Sequence, residues 1–250
     1  MRQREGSINE RRYTEMAKII FNQEIDENIY HIEIAGKYKG TMGQFYMLRG
    51  WESHHPVLGR PLSIFDLNNE SISFIYKVIG EGTRLISRLK EADNIELFGP
   101  YGKGFPRVWG RVALIGGGMG IAPLYLAARE LFSDSRVEMV HIYLGFKERT
   151  FLVDWFEKVS HKLITVTGGF ISQKIDVNDY DYVFACGSEE MMRAIVEQKK
   201  SGKTHVFVSL ERRMGCGVGA CLSCTCQTIK GNRLTCKDGP IFPGEDIFFE

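Results

Sequence analysis

Four cysteines near the end of the printed sequence have the spacing of metal ligands. Cys216, Cys221, Cys224 and Cys236 follow the pattern C-x4-C-x2-C-x11-C. This spacing is typical of a plant-type [2Fe-2S] centre, in which the fourth thiolate comes from further along the chain. Such a centre accepts and donates single electrons, so the spacing predicts a protein that transfers electrons.

The residues around these cysteines agree with a cluster loop. Gly215, Gly217 and Gly219 alternate with the ligand region and let backbone N–H groups approach the inorganic sulfurs. Three basic residues flank the loop: Arg212, Arg213 and Lys237. They either offset the negative charge of four thiolates or are ordinary solvated surface charges.

Zinc and disulfides are the alternatives for the same cysteines. Structural zinc usually uses two short paired units such as C-x2-C, and this chain has one, preceded by C-x4-C. Disulfides require an oxidising compartment, to which no segment of the sequence directs the chain. The spacing therefore favours iron–sulfur over zinc. Cys226 falls outside the pattern, and we interpret it as a small buried side chain.

Two strand-to-helix turns have the composition of a nucleotide site. Glycines 116, 117, 118 and 120 follow an apolar run and precede a helix, where backbone N–H groups can meet a pyrophosphate. The turn lacks the full G-x-G-x-x-G pattern because Ile121 stands at the third glycine position. Cys186 and Gly187 occupy an equivalent turn. A tight turn without a ligand would explain the first set of glycines equally well. A buried cysteine followed by a turn glycine would explain Cys186 and Gly187.

A third group of residues has chemistry suited to a phosphate and an aromatic ring. In Arg60-Pro61-Leu62-Ser63, the guanidinium can make bidentate hydrogen bonds to phosphate oxygens, and the serine hydroxyl can hydrogen-bond a ring nitrogen. Gly82 and Thr83 begin a predicted helix, whose N-terminus also suits a phosphate. Without a ligand, residues 60–63 would simply begin a strand, and Gly82 and Thr83 would belong to an ordinary N-capped helix.

Composition limits the classes of function. The chain has 250 residues, 44% of them hydrophobic and 25% charged, with a net charge of +1. It is long enough for two domains, and it has neither the basic charge typical of nucleic-acid binding nor an apolar run that could span a membrane. Residues 1–12 lack the apolar region of a signal peptide, so we expect a flexible tail and a cytoplasmic protein.

The elements that must position these residues fall into three regions. Short strands are predicted at 17–21, 29–34, 44–48, 62–66, 72–78 and 95–98, with a helix at 83–92, which indicates an antiparallel barrel or sandwich. Apolar strands at 112–115, 137–144, 163–167, 182–185 and 206–210 then alternate with helices at 123–132, 152–159 and 189–199, which is typical of a parallel sheet. The cysteine segment follows and ends in a predicted strand at 246–249.

Together these motifs resemble the ferredoxin–NADP reductase superfamily. The most specific segments are residues 60–63, 114–125, 209–224 and 236–240, and the resemblance covers residues 13–250. The added cysteine pattern is similar to that of the electron-transfer subunits of NAD-linked dihydroorotate dehydrogenase (type B). The resemblance implies a β-barrel plus α/β architecture: an antiparallel FAD-binding barrel (1–108), a parallel-sheet NAD-binding domain (109–210) and a small [2Fe-2S] module (211–250).

The resemblance also implies site residues. FAD would be held by Arg60, Pro61, Leu62, Ser63, Gly82 and Thr83, with Ser63 near the flavin N5 and Arg60 on the pyrophosphate. NAD(H) would lie across Gly117, Gly118 and Gly120, with its nicotinamide near Cys186 and Gly187. The cluster ligands would be Cys216, Cys221, Cys224 and Cys236. Many superfamily members carry an aromatic residue where this chain has Leu62, so an aliphatic contact or another residue such as Tyr46 should cover the flavin.

The implied partner is a separate catalytic subunit that contains FMN and oxidises dihydroorotate to orotate in pyrimidine biosynthesis, in a 2+2 heterotetramer. A substrate-oxidising (β/α)8 barrel needs roughly 200 residues or more of its own, so we expect no catalytic residue for dihydroorotate on this chain. The cluster segment is the expected docking surface.

Two other functions fit parts of the sequence. One is a FAD/[2Fe-2S] reductase subunit of a hydrogenase, sulfite reductase or transhydrogenase complex, and the other is a zinc-stabilised nucleotide-binding regulator without redox activity. The choice of NAD over NADP rests on the resemblance, because Glu148 favours a ribose hydroxyl whereas Lys147 and Arg149 favour a 2′-phosphate.

Overall fold

A computed structural model of the chain describes residues 15–51, 55–200 and 202–249. The predicted tail, residues 1–12, lies outside the described residues. The first region consists of β1 (Glu15–Asp26), β2 (Ile29–Ala35), β3 (Phe45–Arg49), β4 (Arg60–Ser63), β5 (Asp66–Leu67), β6 (Ser71–Lys77), α1 (Glu81–Ser87) and β7 (Asn94–Tyr101).

The strands of the first region form one antiparallel sheet that curls into a barrel. Their order is β4-β3-β7-β1-β2-β6-β5, and β4 also contacts β6. Side chains alternate between the two faces of each strand, so that Ile32 and Ile34 of β2 lie fully buried in the core. The antiparallel barrel predicted from the short strands is confirmed.

The predicted strand at 62–66 is divided in the structure. Ile64 donates its N–H to the carbonyl of Gln44 beside β3, at 3.0 Å, whereas Phe65 donates to the carbonyl of Ser73 on β6, at 2.9 Å. Both side chains are fully buried. The backbone thus changes its pairing partner between these two residues, and the segment forms a corner of the barrel between β4 and β5.

The second region alternates strands and helices: β8 (Gly110–Gly117), α2 (Ala122–Phe132), β9 (Val137–Phe146), α3 (Val153–Glu157), β10 (Lys162–Thr167), β11 (Tyr182–Cys186), α4 (Glu189–Glu197) and β12 (His205–Ser209). These strands are parallel, in the order β10-β9-β8-β11-β12, which confirms the predicted sheet. Central β8 is covered by α2 on one face and α4 on the other. Its uninterrupted apolar run follows from burial on both faces.

The last region contains β13 (Thr225–Thr228), β14 (Gly231–Leu234), β15 (Ile241–Pro243) and α5 (Gly244–Ile247). β13 and β14 form a hairpin, and β15 pairs antiparallel with β12 at the edge of the parallel sheet. The predicted strand at 246–249 is wrong, since α5 occupies its first two residues and no strand forms in the rest. Pro243 has no N–H to continue a ladder, and Glu245 and Asp246 favour the start of a helix. In the described part of the chain, every helix is too short or too polar to cross a membrane.

Aromatic side chains fill the seam between the barrel and the α/β domain. The ring of His31 on β2 lies 5.4 Å from those of Phe65 and Trp155, and Phe65 stacks on Tyr125 of α2 at 4.5 Å. Burial lowers the pKa of His31 to about 4, so its imidazole is neutral at physiological pH. A close-packed seam of this kind holds the two domains in one relative orientation.

Candidate functional site

The cysteine loop surrounds one sulfur with backbone donors. The N–H groups of Val218, Ala220 and Cys221 donate to Sγ of Cys216, at 3.4, 3.2 and 3.4 Å. Gly217 has a φ of +71°, a conformation that lets the loop turn around this sulfur. Although burial acts in the opposite direction, these hydrogen bonds hold the pKa of the Cys216 thiol below its usual value.

The exposed thiol of Cys221 completes a first pair with Cys216. The N–H of Cys221 donates to Sγ of Cys216 at 3.4 Å, and the hydroxyl of Ser223 lies 3.1 Å from Sγ of Cys221. Hydrogen bonds from Ser223, and then from Cys216, lower the pKa of Cys221 to about 6. This pair therefore lies in an environment that stabilises thiolates, the form in which cysteine binds a metal.

Cys224 and Cys236 form a second pair on the inner side of the loop. Both are 2% exposed, and the N–H of Cys236 donates to Sγ of Cys224 at 3.5 Å. They pack in one apolar cluster with Phe45 and Met47 of β3. Burial, and then the neighbouring Cys224, raises the pKa of the Cys236 thiol to about 12, so a bound metal has to displace its proton.

The arrangement in two pairs fits a two-iron cluster. A [2Fe-2S] centre with four cysteine ligands takes two thiolates on each iron. Across the ranges that the structure describes, no compact group of three His, Cys, Asp or Glu side chains is formed that could hold a single metal ion. Cys226 is buried in a different apolar cluster, which contains Phe242. The structure thus arranges the four cysteines of the predicted pattern as two pairs, and Cys226 lies apart from the buried pair.

The strand β3 connects the cluster loop to the predicted flavin site. Phe45 and Met47 contact the buried thiol pair, and they are paired with Ser63 and Pro61 of β4. Residues directly opposite in an antiparallel ladder share a face of the sheet. Ser63 therefore lies on the face of the sheet that carries the cluster loop, one strand away from the residues that touch the thiols.

Arg60 and the start of α1 form a corner suited to a pyrophosphate. The guanidinium of Arg60 lies directly against Gly82, where a Cβ would collide with it, and also lies over the ring of Trp51 at 5.7 Å. Oγ1 of Thr83 accepts hydrogen bonds from the N–H groups of Ile79 and Gly80, at 3.1 and 3.2 Å. The corner thus combines a fixed cation with a helix N-terminus, and the absence of a side chain at residue 82 leaves room for the guanidinium.

Tyr46 does not lie where it could cover a flavin. It is 4% exposed, donates its hydroxyl to the carbonyl of Lys39 at 2.7 Å and packs against Phe74 inside the barrel. Leu62, its partner in the ladder, is half-buried. Of the two residues considered as a cover for the flavin, Leu62 is accessible to a ligand and Tyr46 is not.

The two glycine turns meet at the carboxyl ends of β8 and β11. A Cβ on Gly120 would collide with the backbone carbonyl of Cys186, and one on Gly117 would lie 3.7 Å from Cα of Gly187. Gly118 has a φ of +54° and open space around it. Burial, and then the nearby Glu211, raises the pKa of Cys186 to about 12, so its thiol is protonated and unreactive. The structure thus joins the two predicted turns at the edge where nucleotides bind.

Sequence reasoning missed Phe170 at the same edge. It follows Gly168 and Gly169 after β10, and its side chain is 74% exposed. An aromatic residue directly after two glycines at a strand end was the available signal. Arg149, considered earlier for a 2′-phosphate, lies 4.0 Å from Asp26 of the barrel, so part of its charge is offset there.

An open groove of about 440 Å³ runs beside the exposed thiol pair. It is lined by the barrel loop and by the cysteine segment, namely Leu58, Arg213, Met214, Gly215, Cys216, Cys221 and Ser223. Its lining residue Leu58 is an exposed apolar side chain, and three more exposed apolar side chains lie within two residues of the lining in the chain: Val57, Val218 and Leu222.

Comparison with known proteins supports this geometry. The family described as the iron–sulfur cluster binding domain of dihydroorotate dehydrogenase B matches residues 211–248. The electron transfer subunit of dihydroorotate dehydrogenase B (NAD+) from Clostridium acetobutylicum is 40% identical over 94% of this chain and 97% of its own. The corresponding subunit from Clostridium perfringens is 38% identical over 93% and 97%.

A solved structure shows the same fold. The NADH-dependent reduced ferredoxin–NADP oxidoreductase, studied for flavin-based electron bifurcation, superposes with a TM-score of 0.82 at 26% identity, over 94% of this chain and 90% of that one. The predicted architecture of a barrel, a parallel-sheet domain and a C-terminal iron–sulfur module is therefore confirmed.

Proposed function

The chain belongs to the family of electron-transfer subunits of NAD-linked dihydroorotate dehydrogenase B, and from this premise we propose how its residues perform that function. It is the component of an oxidoreductase that carries electrons between a catalytic subunit and NAD+, using FAD and a [2Fe-2S] cluster. One observation carries the proposal: the buried thiols of Cys224 and Cys236 lie against β3, one strand away from Ser63.

The order of the sites follows from their chemistry. Nicotinamide exchanges two electrons as a hydride, a [2Fe-2S] centre exchanges one, and a flavin does both. The flavin therefore belongs between the glycine turns of the α/β domain and the cysteine loop. During dihydroorotate oxidation the electrons enter at the cluster and leave as a hydride to NAD+.

Six residues hold FAD in this proposal: Arg60, Pro61, Leu62, Ser63, Gly82 and Thr83. Arg60 and the start of α1 bind the pyrophosphate, and Leu62 covers part of the ring. The hydroxyl of Ser63 lies near the flavin N5. The close packing of the Arg60 guanidinium on Gly82, which a Cβ would displace, supports the pyrophosphate position.

Five residues form the nicotinamide nucleotide site: Gly117, Gly118, Gly120, Cys186 and Gly187. The glycines admit the pyrophosphate, and Cys186, whose buried thiol is protonated, marks the strand end beside which the nicotinamide would lie. We add Phe170 to this site, because its exposed ring at the carboxyl end of β10 can stack on the adenine.

The partner is the catalytic subunit of the dehydrogenase. We propose that it contains FMN, assembles with this chain as a 2+2 heterotetramer and docks over the groove at Leu58, Cys216 and Cys221. The exposed apolar side chains around that groove support this surface. All six cysteines have free thiols, which supports a location in the reducing cytoplasm.

Reconstitution tests this division of labour. The purified chain should be yellow-brown and should use NADH to reduce an artificial electron acceptor, but it should produce no orotate from dihydroorotate. Adding the FMN-bearing subunit should restore orotate production coupled to NAD+ reduction. Orotate production by the isolated chain would refute the proposal, and a colourless protein with stoichiometric zinc would support the regulator instead.

Co-purification distinguishes the related reductase function. If this chain were isolated with a hydrogenase or sulfite reductase subunit and not with a dihydroorotate-oxidising one, the assignment of the partner would be wrong, although the cofactor sites would stand.

A further inference from the structure

One hydroxyl in the cysteine loop contacts a ligand sulfur. Oγ of Ser223 lies 3.1 Å from Sγ of Cys221, and it accepts the N–H of Gly215 at 3.0 Å. Ser223 lies between the ligands Cys221 and Cys224, on the exposed side of the loop. Its side chain is thus held in place by the backbone of the same loop that carries Cys216.

The direction of the hydrogen bond follows from elementary chemistry. A serine hydroxyl has one proton to donate and two lone pairs to accept. The N–H of Gly215 occupies one lone pair, and the sulfur of a metal-bound cysteine is a thiolate without a proton. The hydroxyl of Ser223 must therefore donate to Cys221, and the sulfur must accept.

From this geometry we infer that Ser223 raises the reduction potential of the cluster by donating a hydrogen bond to the ligand Cys221. Accepting one electron adds one negative charge to the cluster and its thiolates, and a hydrogen bond to a sulfur becomes stronger as that sulfur becomes more negative. The hydroxyl therefore stabilises the reduced state more than the oxidised state. No proton is transferred, and the electron comes from the catalytic subunit in the path proposed above.

This inference rests on the ligand set proposed above, and it makes Ser223 a positioning residue that acts through Cys221. The groove lies beside Cys221 and Ser223, so a partner that covers it would exclude water from this hydrogen bond. A hydrogen bond is stronger where water is excluded.

A nearby hydroxyl provides a matched control. Oγ1 of Thr225 lies two residues further on, and it donates to the backbone carbonyl of Leu222 at 2.7 Å. Thr225→Ala removes a hydroxyl from the same segment without removing a donor to a sulfur.

The experiment is a redox titration of the holoprotein followed by electron paramagnetic resonance, with iron content measured in every variant. Ser223→Ala should make the midpoint potential more negative by about 59 mV. For a one-electron couple this shift corresponds to a tenfold change in the reduction equilibrium. Ser223→Thr, which keeps the hydroxyl, should retain the wild-type potential, and Thr225→Ala should leave it unchanged.

The outcomes separate this inference from the proposed function. An unchanged potential in Ser223→Ala with full iron content, or an equal shift in Thr225→Ala, would overturn the role of Ser223 while the cluster assignment stands. If Ser223→Ala fails to assemble a cluster, Ser223→Gly replaces it; loss of the cluster in both variants would show a structural role and reject the tuning role. A wild-type protein without an iron–sulfur signal would instead overturn the ligand set itself.

Discussion

The cysteine loop and the nucleotide edge, our proposed NAD site at the carboxyl ends of β8 and β11, differ in how they would hold their ligands. The loop supplies side chains: four thiols and the hydroxyl of Ser223. The edge lacks side chains at Gly117, Gly118 and Gly120, which in our proposal lets the backbone come close to a pyrophosphate. Removing atoms should therefore damage the loop, whereas adding atoms should damage the edge. The flavin corner combines both principles in Arg60 and Gly82.

The largest effect is expected in the loop. Cys224→Ser should abolish the visible absorption and the electron paramagnetic resonance signal of the cluster, because a buried ligand is lost, while FAD stays bound. Cys226→Ser is the matched control and should keep full iron content, since Cys226 packs in a separate cluster. A normal signal in the Cys224 variant would show that the ligand set is wrong.

The flavin corner should lose affinity when its cation is removed. Charge-assisted hydrogen bonds contribute about 1.5–3 kcal/mol, so Arg60→Ala should weaken FAD binding by about 10- to 100-fold. Flavin content after dialysis measures this effect. Arg84→Ala removes an exposed arginine from α1, the helix that begins at this corner, and should keep the wild-type FAD content. Full occupancy in the Arg60 variant would argue against the pyrophosphate role.

Adding one methyl group should damage the nucleotide edge. In Gly120→Ala the new Cβ meets the backbone of Cys186 and Gly187, which cannot move without shifting the end of β11. We expect overpacking to destabilise the protein by about 1–3 kcal/mol and to weaken NADH binding by about tenfold.

Thermal unfolding and NADH titration measure both effects of the Gly120 change. Gly202→Ala is the control, because the nearest atom to its new Cβ is the Lys200 carbonyl oxygen at 3.9 Å. Unchanged NADH affinity in Gly120→Ala would place the nucleotide elsewhere.

The smallest effect tests the one side chain that we assign to the adenine. Phe170→Ala should raise KM for NADH by about 3- to 10-fold, the magnitude of a lost aromatic stacking contact, with little change in kcat. Phe132→Ala removes a partly exposed phenylalanine from the opposite end of the sheet and should leave KM unchanged. Equal effects of the two changes would assign Phe170 a general role in stability.

Periodicity and turn chemistry predicted most of the strands and helices. The continuous apolar run of β8 identified a strand buried on both faces, and its following glycines identified the turn into α2. Periodicity failed at residues 64–65, where the chain changes from one neighbouring strand to another, since that choice depends on distant residues. It also failed at 246–249, because the strand β15 has already ended at Pro243 and the helix α5 follows it.

The candidate site divides in the same way. The ligand pattern of the cysteines was readable because the four residues lie within one short segment, and the resemblance it supports is confirmed at the level of the family. The individual site residues stay predictions. Phe170 was missed because an isolated aromatic residue has no spacing partner, and its exposure is visible only after folding.

The amino-acid sequence by itself determined the chemistry that this protein can carry: thiolates at cluster spacing, glycines at strand ends and an arginine beside a rigid proline. Local order along the chain suffices for these features. Only the tertiary structure decided that the buried thiols lie against Phe45 and Met47, that Ser63 shares their face of the sheet, and that the turns at Gly120 and Cys186 touch. These contacts join residues far apart in the chain, and they depend on strand register and packing, which no local pattern specifies.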